Sequence, residues 1–258
     1  KPLLDLRVFS YFKFCVMSLL AAIFGAGLYG TLYLAPLFLQ LAQGLTAMDS
    51  GLMMLLPALI MGAMFPISGR MADRVDQRLL LGSGFFVLAF SCVLMSNADP
   101  DTPWWTFCFW LIVSRIGIGI MAPTINLAAV QGLPMEFLQQ GSGAANFMRQ
   151  VGGAFGVNLA SVALEYRSSF HRDAMMATQT YGSDDTMALI GNLNQSLMGS
   201  GLTFWETQTV SYGILGQMIG HQALVLGFQD GFLIFTVLFL FTLIPISMLR
   251  KRHMRSMH

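Results

Sequence analysis

The stretch Gly69-Arg70-Met71-Ala72-Asp73-Arg74-Val75-Asp76-Gln77-Arg78 decides the fold of this chain, because it places three arginines and two aspartates within ten residues. The runs on either side of it, residues 51–68 and 79–97, are almost wholly apolar. Each run is about as long as the ~20 residues that a helix needs to cross a bilayer. A short charged turn between two such runs lies at one membrane face, and its arginines place it in the cytoplasm. Every other predicted span is oriented from this turn.

The composition excludes a soluble protein. Of the 258 residues, 55% are hydrophobic and 10% are charged, whereas about 25% of the residues in soluble domains are charged. The net charge of +1 argues against a nucleic-acid-binding protein, which needs a basic surface. Cys15, Cys92 and Cys108 lie in apolar runs without metal-ligand spacing, so we interpret them as small core residues rather than as disulfide partners. The chain is therefore predicted to be a polytopic membrane protein.

Six apolar runs predict an all-α bundle of six transmembrane helices. The predicted spans are residues 14–41, 51–68, 79–97, 107–130, 143–164 and 231–249. Asp49 with Ser50 is expected to cap the second span, and Asp230 the sixth. Residues 165–229 form a polar external segment, in which residues 214–226 are apolar enough to lie on the membrane surface as an amphipathic helix.

The distribution of basic residues orients the spans. Ten lysines and arginines fall in the predicted cytoplasmic segments: Lys1, Arg7, Lys13, Arg70, Arg74, Arg78, Arg250, Lys251, Arg252 and Arg255. Only Arg167 and Arg172 fall in the external segments. Because cytoplasmic segments are enriched in lysine and arginine, this distribution predicts that both termini are cytoplasmic.

Three of the predicted spans carry polar residues at helical spacing. These stripes are Tyr29, Tyr33, Pro36 and Gln40 in the first span, Arg115, Gly119, Ala122 and Asn126 in the fourth, and Ser142, Asn146, Gln150 and Gly153 in the fifth. Polar groups inside a span normally face the bundle interior or a wet cavity, because exposing them to lipid is costly. The predicted cavity residues are Tyr29, Tyr33, Gln40, Arg115, Asn126, Asn146 and Gln150. The alternative is that each polar group only satisfies a neighbouring backbone group.

Arg115 and Arg149 both lie inside predicted spans, where an arginine costs at least ~2.5 kcal/mol. Arg149 is near enough to the cytoplasmic end to extend towards it, so we expect it to form a structural pair. Arg115 lies nearer the middle of its span and requires a partner or water. We therefore expect Arg115 to line the cavity.

Glycines and prolines mark the helices expected to pack closely or to move. Gly152, Gly156 and Ala160 form a smooth stripe at four-residue spacing, which is typical of a close helix contact in a membrane. If the six spans are two inverted three-helix repeats, Pro36 and Pro123 occupy corresponding positions, as in the moving helices of transporters. Proline is also common in membrane helices generally.

The charged turn resembles a motif of the major facilitator superfamily. The loop between the second and third helices of each six-helix half in that family follows the pattern G-x-(L)-(A)-D-R-x-G-(R/K)-(R/K). Gly69, Ala72, Asp73, Arg74 and Arg78 match the pattern. Asp76 replaces its glycine and Gln77 replaces one of its basic residues.

Further segments make the resemblance more specific. They are PLLDLRVF at residues 2–9, LYLAPLFLQ at 32–40, PISGR at 66–70, RIGIG at 115–119 and NFMRQVGGAFG at 146–156. In this order they are similar to the C-terminal half of fourteen-span drug:proton antiporters of the EmrB/QacA type. The resemblance implies that the first, second, fourth and fifth helices line a central cavity. It also implies that an N-terminal six-helix half and two linker spans are absent from this chain.

The resemblance implies export of hydrophobic, often cationic compounds in exchange for protons, across the bacterial inner membrane and without a cofactor. It also implies a periplasmic adaptor protein as a partner of the external segment. None of the thirteen acidic residues is predicted inside a span, so the proton-coupling carboxylates are expected in the absent half.

Three other functions remain open from the sequence. The chain can belong to a facilitator of another solute class, or it can be a truncated membrane protein that binds a partner through its external segment. A membrane enzyme is the least favoured reading, because no serine–histidine pair or metal cluster lies at a span end.

Overall fold

The computed structural model describes residues 10–131, 133–179, 184–198 and 204–248, and these residues are almost entirely helical. They contain no β-strand. The α-helices within them are α1 (Phe12–Leu41), α2 (Ala47–Arg74), α3 (Gln77–Met95), α4 (Trp104–Val130), α5 (Leu138–Thr178), α6 (Asp184–Met198), α7 (Phe204–Phe241) and α8 (Leu243–Met248). A short 3-10 turn, Met135–Phe137, precedes α5. The prediction of an all-α protein is confirmed.

Five of the described helices, α1 to α4 and α7, are long and apolar enough to cross a membrane. They overlap five of the six predicted spans. The predicted fifth span lies in α5, which is long but less apolar, since it carries Asn146, Arg149, Gln150 and Asn158 within that span. The helices are those of a multi-pass membrane protein, and the sixth crossing is not evident from the composition of α5.

Helix α1 packs along α5 and also contacts α2, α4 and α7. Among the other helices, α5 contacts α7, α7 contacts α3, α3 contacts α4, and α4 contacts α2. Gly27 and Gly30 of α1 make room for Phe239 and Phe235 of α7. Small residues at such contacts allow helices in a membrane to approach closely.

Phenylalanine rings fill the core where α1, α4 and α7 meet. The ring of Phe38 stacks on Phe107 with 5.1 Å between the centroids and meets Phe228 edge-on at 5.5 Å. All three side chains are fully buried. Offset-stacked and edge-to-face arrangements are the favourable ones for aromatic pairs, so this cluster joins three sequence-distant helices through large contact areas.

The start of α2 differs from the prediction. Its N-cap is Thr46, whose hydroxyl oxygen accepts a hydrogen bond from the backbone N–H of Asp49 at 3.2 Å. Asp49 and Ser50 therefore lie inside the first turn and do not cap the helix. The reason is that Thr46 already supplies the oxygen that an N-cap requires, three residues before Asp49.

The described part of residues 165–229 is mostly helical. Helix α5 continues through it to Thr178, and α7 begins at Phe204 and runs without a break to Phe241. At 1.5 Å per residue, the 38 residues of α7 span roughly 57 Å, well beyond the ~30 Å of the hydrocarbon core. Residues 214–226 are helical, as predicted, and they belong to this continuous helix.

Helix α6 packs back onto α7 in the same segment. Ile190 of α6 lies in a small apolar cluster with Leu215 and Ile219 of α7. The Ser211 hydroxyl donates to the side-chain oxygen of Asn194 at 2.7 Å. The segment therefore has a core of its own, separate from the phenylalanine core of the bundle.

Some predicted features lie outside the described residues. These are Lys1 and the segment PLLDLRVF at residues 2–9, the last residue of the sixth predicted span at position 249, and the basic residues Arg250, Lys251, Arg252 and Arg255. Within the described residues, α7 ends at Phe241, four residues before Pro245. The proline ring clashes with the carbonyl four residues earlier in a continuing helix, which explains why α8 restarts at Leu243.

Candidate functional site

The polar stripe of α1 is divided between an open and a packed surface. The side chain of Tyr29 is 39% exposed, and its ring covers Gly153 of α5, where an added Cβ would overlap the ring. Tyr33 is half-buried and Gln40 is exposed. Pro36 lies inside α1, which continues through it. The structure thus places two aromatic side chains of α1 beside α5.

The polar stripe of α5 lies on the open side of the helix. Asn146 and Gln150 are exposed, while Arg149 between them is half-buried. The Arg149 guanidinium donates to the side-chain oxygen of Asn146 at 2.6 Å. Arg149 therefore has a structural partner, as expected, and this partner is the predicted cavity residue Asn146.

Of the polar stripe on α4, only the C-terminal end is exposed. Asn126 is exposed, whereas Gly119 is buried against Met64 of α2. The hydroxyl of Ser68, also on α2, donates to the Gly119 carbonyl at 2.7 Å. Because α2 covers this stripe at Gly119, Asn126 is exposed, whereas Ala122 is half-buried and Gly119 is buried. Pro123 is half-buried within the unbroken α4.

Arg115 is therefore separated from the other predicted cavity residues. Its side chain is 3% exposed, and both terminal guanidinium nitrogens are buried without a hydrogen-bond partner among the described residues. An unpaired buried charge is costly. The sequence indicated the need for a partner, but the burial of Arg115 depends on helix packing that its spacing does not encode.

The glycine stripe of α5 is where α1 and α5 come closest. An added Cβ at Gly152 would overlap the backbone of Ala22, and one at Gly156 would overlap that of Ala26. From the other side, a Cβ at Gly25 would overlap the carbonyl of Arg149. The two helices are thus in backbone contact over about two turns, and no side chain fits between them.

The charged turn connects three helices at one end of the bundle. The Asp76 carboxylate accepts from the backbone N–H of Arg78 at 3.1 Å and so caps α3. The Arg78 guanidinium donates to the carbonyls of Ile246, at 3.3 Å, and Ser247 in α8. Gln77 donates to Gln131 at 2.7 Å, just after α4. Sequence analysis identified Arg78 as a motif residue but not its contact with α8, which is 168 residues away.

Gly69 and Arg74 of the motif lie on α2. Gly69 is half-buried, and a Cβ there would meet open space. Arg74, at the end of α2, is exposed. The side chain of Asp73 lies outside what the structure describes.

A charged cluster on the opposite end of the bundle was missed by sequence analysis. One carboxylate oxygen of Asp230 in α7 accepts from Arg167 Nε at 2.7 Å and lies 2.6 Å from His171 Nε2. All three side chains are half-buried. Asp230 lies in the middle of α7, because that helix begins at Phe204, so its predicted role as a helix cap is wrong. The spacing of Arg167 and His171, one turn apart, is the only local signal of the cluster.

Hydrogen bonds between loops and helices extend this outer network. His221 Nε2 lies 3.0 Å from the carbonyl of Ala42, at the end of α1. Gln229 donates to the carbonyl of Ala98 at 3.0 Å, and Gln43 donates to that of Thr102 at 3.0 Å. On this side of the bundle, polar contacts therefore connect α7 with the ends of α1 and α3 and complement the apolar contacts between the same helices.

Comparison with known proteins agrees with this geometry. The chain is 27% identical to the uncharacterized MFS-type transporter YhcA of Bacillus subtilis over 234 residues, which are 90% of this chain and 44% of YhcA. It is 26% identical to the colistin resistance protein EmrB of Acinetobacter baumannii over 232 residues, which are 89% of this chain and 44% of that protein. It is 29% identical to the lincomycin resistance protein LmrB of Listeria innocua over 188 residues, which are 73% of this chain and 39% of LmrB.

The chain spans less than half the length of these relatives. The family model described as the Major Facilitator Superfamily matches residues 1–157, which contain α1 to α4, the charged turn and part of the glycine stripe of α5. The match therefore includes the segments on which the resemblance was based, and of the glycine stripe it includes Gly152 and Gly156 but not Ala160. On this evidence the chain belongs to the Major Facilitator Superfamily.

Proposed function

We propose that this chain forms the C-terminal half of a proton-coupled multidrug efflux transporter of the bacterial inner membrane, and that it is a transporter rather than an enzyme. The observation that carries the proposal is the similarity to drug-resistance proteins across most of the chain, at less than half of their length. The exported compounds are hydrophobic or cationic small molecules.

The open polar side of the bundle supports a substrate-binding role. Tyr29, Gln40, Asn126, Asn146 and Gln150 are all exposed on α1, α4 and α5. Polar side chains on membrane helices normally face protein or water rather than lipid. We propose that this side faces the N-terminal half and that substrate binds between the two halves, in contact with these residues and Tyr33.

In this proposal α5 is the fifth of six transmembrane helices, and both chain termini are cytoplasmic. The backbone contact of α5 with α1, a helix apolar enough to cross the membrane, supports a transmembrane position for α5. The segment at residues 165–229 is external. This segment has an apolar core separate from that of the bundle. We propose that a periplasmic adaptor protein docks on its surface.

Arg115 and the two prolines have roles in conformational change rather than in direct binding. Arg115 is buried without a partner in this conformation, so we propose that it gains an anionic or polar partner in another conformation. Pro36 and Pro123 lie in α1 and α4, the two helices that would move relative to α5 and α2. The proton-coupling carboxylates belong to the N-terminal half.

The test is export of a cationic dye from cells that express the chain fused to the N-terminal half of a full-length relative. Asn146→Ala and Gln150→Ala should each raise the dye concentration needed for half-maximal export by roughly threefold, the loss expected for one hydrogen bond. Gln217→Ala, at an exposed position of α7 outside the polar side, is the matched control. Residues 1–258 alone in liposomes should not move the dye in response to a pH gradient.

Two outcomes would reject the proposal. If the chain alone moves the dye and this movement collapses with the pH gradient, the coupling group lies in this half. If the fusion exports a neutral or anionic solute but no cationic or hydrophobic compound, the chain belongs to a facilitator of another solute class.

A further inference from the structure

A cavity of about 520 Å³ lies between the outer parts of α1, α5 and α7. Tyr33, Leu164 and Leu224 form its apolar wall, and its polar residues are Ser161, Glu165, Ser168, Ser169 and Arg172. A volume of this size is typical of sites for drug-sized ligands. It is distinct from the open polar side of the bundle, with which it shares only Tyr33.

The two charged side chains of this cavity have no partner within the described part of the chain. Glu165 and Arg172 are exposed, and neither forms a hydrogen bond or an ion pair there. They are seven residues apart on α5, which is about 10 Å along the helix and farther than the spacing at which helical ion pairs form. One negative and one positive group therefore face the same cavity without neutralising each other.

Three other polar side chains of this part of α5 face α7. The hydroxyl of Ser168, between the two charges, is buried against Gly227 of α7. On the neighbouring stripe of α5, Arg167 and His171 are both paired with Asp230. Glu165 and Arg172 are therefore the charged groups that a ligand in the cavity can reach.

We propose that this cavity binds a small zwitterionic compound, with its amine at Glu165, its acidic group at Arg172 and an apolar body along Tyr33, Leu164 and Leu224. The order of the charges sets the orientation of the ligand. Because Tyr33 and Leu164 lie beside Glu165, the amine occupies the inner end of the cavity and the acid occupies the outer end. This site does not depend on the proposed export function, since it requires neither the N-terminal half nor a proton gradient.

Three small aromatic probes test the proposal in the 258-residue chain reconstituted in nanodiscs. The zwitterion is 4-(aminomethyl)benzoate, the matched cation is benzylamine and the matched anion is benzoate. Calorimetric titration or ligand-observed NMR compares the three dissociation constants. The zwitterion should bind about fivefold more tightly than either single-charge probe, the gain expected from one additional solvent-exposed charge pair.

Substitutions should change the selectivity in opposite directions. With Glu165→Gln, the zwitterion should bind no better than benzoate; with Arg172→Gln, it should bind no better than benzylamine. Asp173→Asn removes an exposed charge of α5 outside the cavity and should leave all three constants unchanged. The result is a ratio of dissociation constants for two probes, measured on the same variant. Partial unfolding weakens the binding of both probes and therefore does not produce the expected change in this ratio.

The proposal is overturned if the parent binds none of the probes at millimolar concentration, or binds all three equally. It is also overturned if the preference for the zwitterion survives both Glu165→Gln and Arg172→Gln. Loss of dye export in the fusion protein with intact zwitterion binding would reject the proposed function and retain this site, and the reverse result would reject only this site.

Discussion

Helix α5 packs against its neighbours in two different ways along its length. In its inner part, Gly152 and Gly156 bring its backbone against that of α1 with no side chain between them. In its outer part, Arg167 and His171 bind Asp230 of α7 through hydrogen bonds and charge. The inner contact depends on shape and the outer one on electrostatics. This is the order expected if the inner part lies among lipid-embedded helices and the outer part is closer to water.

The two contacts also differ in how visible they are in the sequence. The glycine stripe repeats every four residues within one helix, so its pattern is local. Arg167 and Asp230 are 63 residues apart, and their pairing depends on how α5 and α7 are placed relative to each other. A local repeat predicts that a close contact exists, and only the packed structure identifies the partner.

The largest effect is expected from labelling the two ends of α5, because it is all or none. If the helix crosses the membrane, a cysteine at Ser142 should react with an impermeant maleimide only from the cytoplasmic side, and one at Thr178 only from outside. Both positions are exposed. The background should carry Cys15→Ser, since Cys15 is exposed while Cys92 and Cys108 are buried. Labelling of both positions from the same side would show that α5 does not cross the membrane.

Gly156→Leu should have the next largest effect. The new side chain has to displace the backbone of Ala26, which cannot move away as a flexible side chain can. We expect a loss of about 1–3 kcal/mol of stability, as for other overpacked sites, seen as a lower melting temperature and lower accumulation in fluorescence-detected size exclusion.

Gly143→Leu is the matched control, because Gly143 also lies on α5 but a Cβ there meets open space. Equal stability of the Gly156→Leu variant and the parent would mean that the close contact between α1 and α5 does not exist in the membrane.

Asp230→Asn should have a smaller effect. It weakens the hydrogen bonds from both Arg167 and His171 without changing the volume of the side chain. Because these side chains are partly exposed, we expect a loss of about 1 kcal/mol, measured as a lower melting temperature. Asp173→Asn, on the same outer part of α5, should change the melting temperature little. A loss that stays the same from low to high salt would contradict an electrostatic contact.

The smallest effect is expected at the charged turn. Arg78→Ala removes the donors to the carbonyls of Ile246 and Ser247, so the backbone amides of α8 should exchange hydrogen faster while the rest of the bundle is unchanged. Arg70→Ala removes an exposed arginine of α2 from the same turn and serves as the control. Unchanged exchange in α8 with Arg78→Ala would show that α8 is held by other contacts.

Much of the fold could be predicted from local patterns. Apolar runs of span length predicted the helices α1 to α4, and the charged turn between two of them predicted the family. The runs did not predict the length of α7, because its polar outer half lacks the hydropathy of a span although it continues the same helix. They also did not separate α5 from the apolar spans, because a helix that packs through glycines and polar groups has low hydropathy.

The candidate site was only partly predictable for the same reason. Spacing placed Tyr29, Asn126, Asn146 and Gln150 on common faces, and the structure exposes all four. Spacing also placed Arg115 on the face of Asn126, but α2 covers that part of α4. A helical repeat identifies which residues share a face, and it does not identify which neighbouring helix covers that face.

The sequence by itself determined the all-α membrane architecture, the family and the glycine stripe, since each depends on composition or on residues a few positions apart. Only the tertiary structure decided that Asp230 pairs with Arg167 and His171, that Arg115 is buried, and that Glu165 and Arg172 share a cavity with Tyr33 and Leu224. These relations join residues from different helices. They depend on the rotation and depth of each helix against the next, which the free energy of packing the whole bundle determines and no single segment encodes.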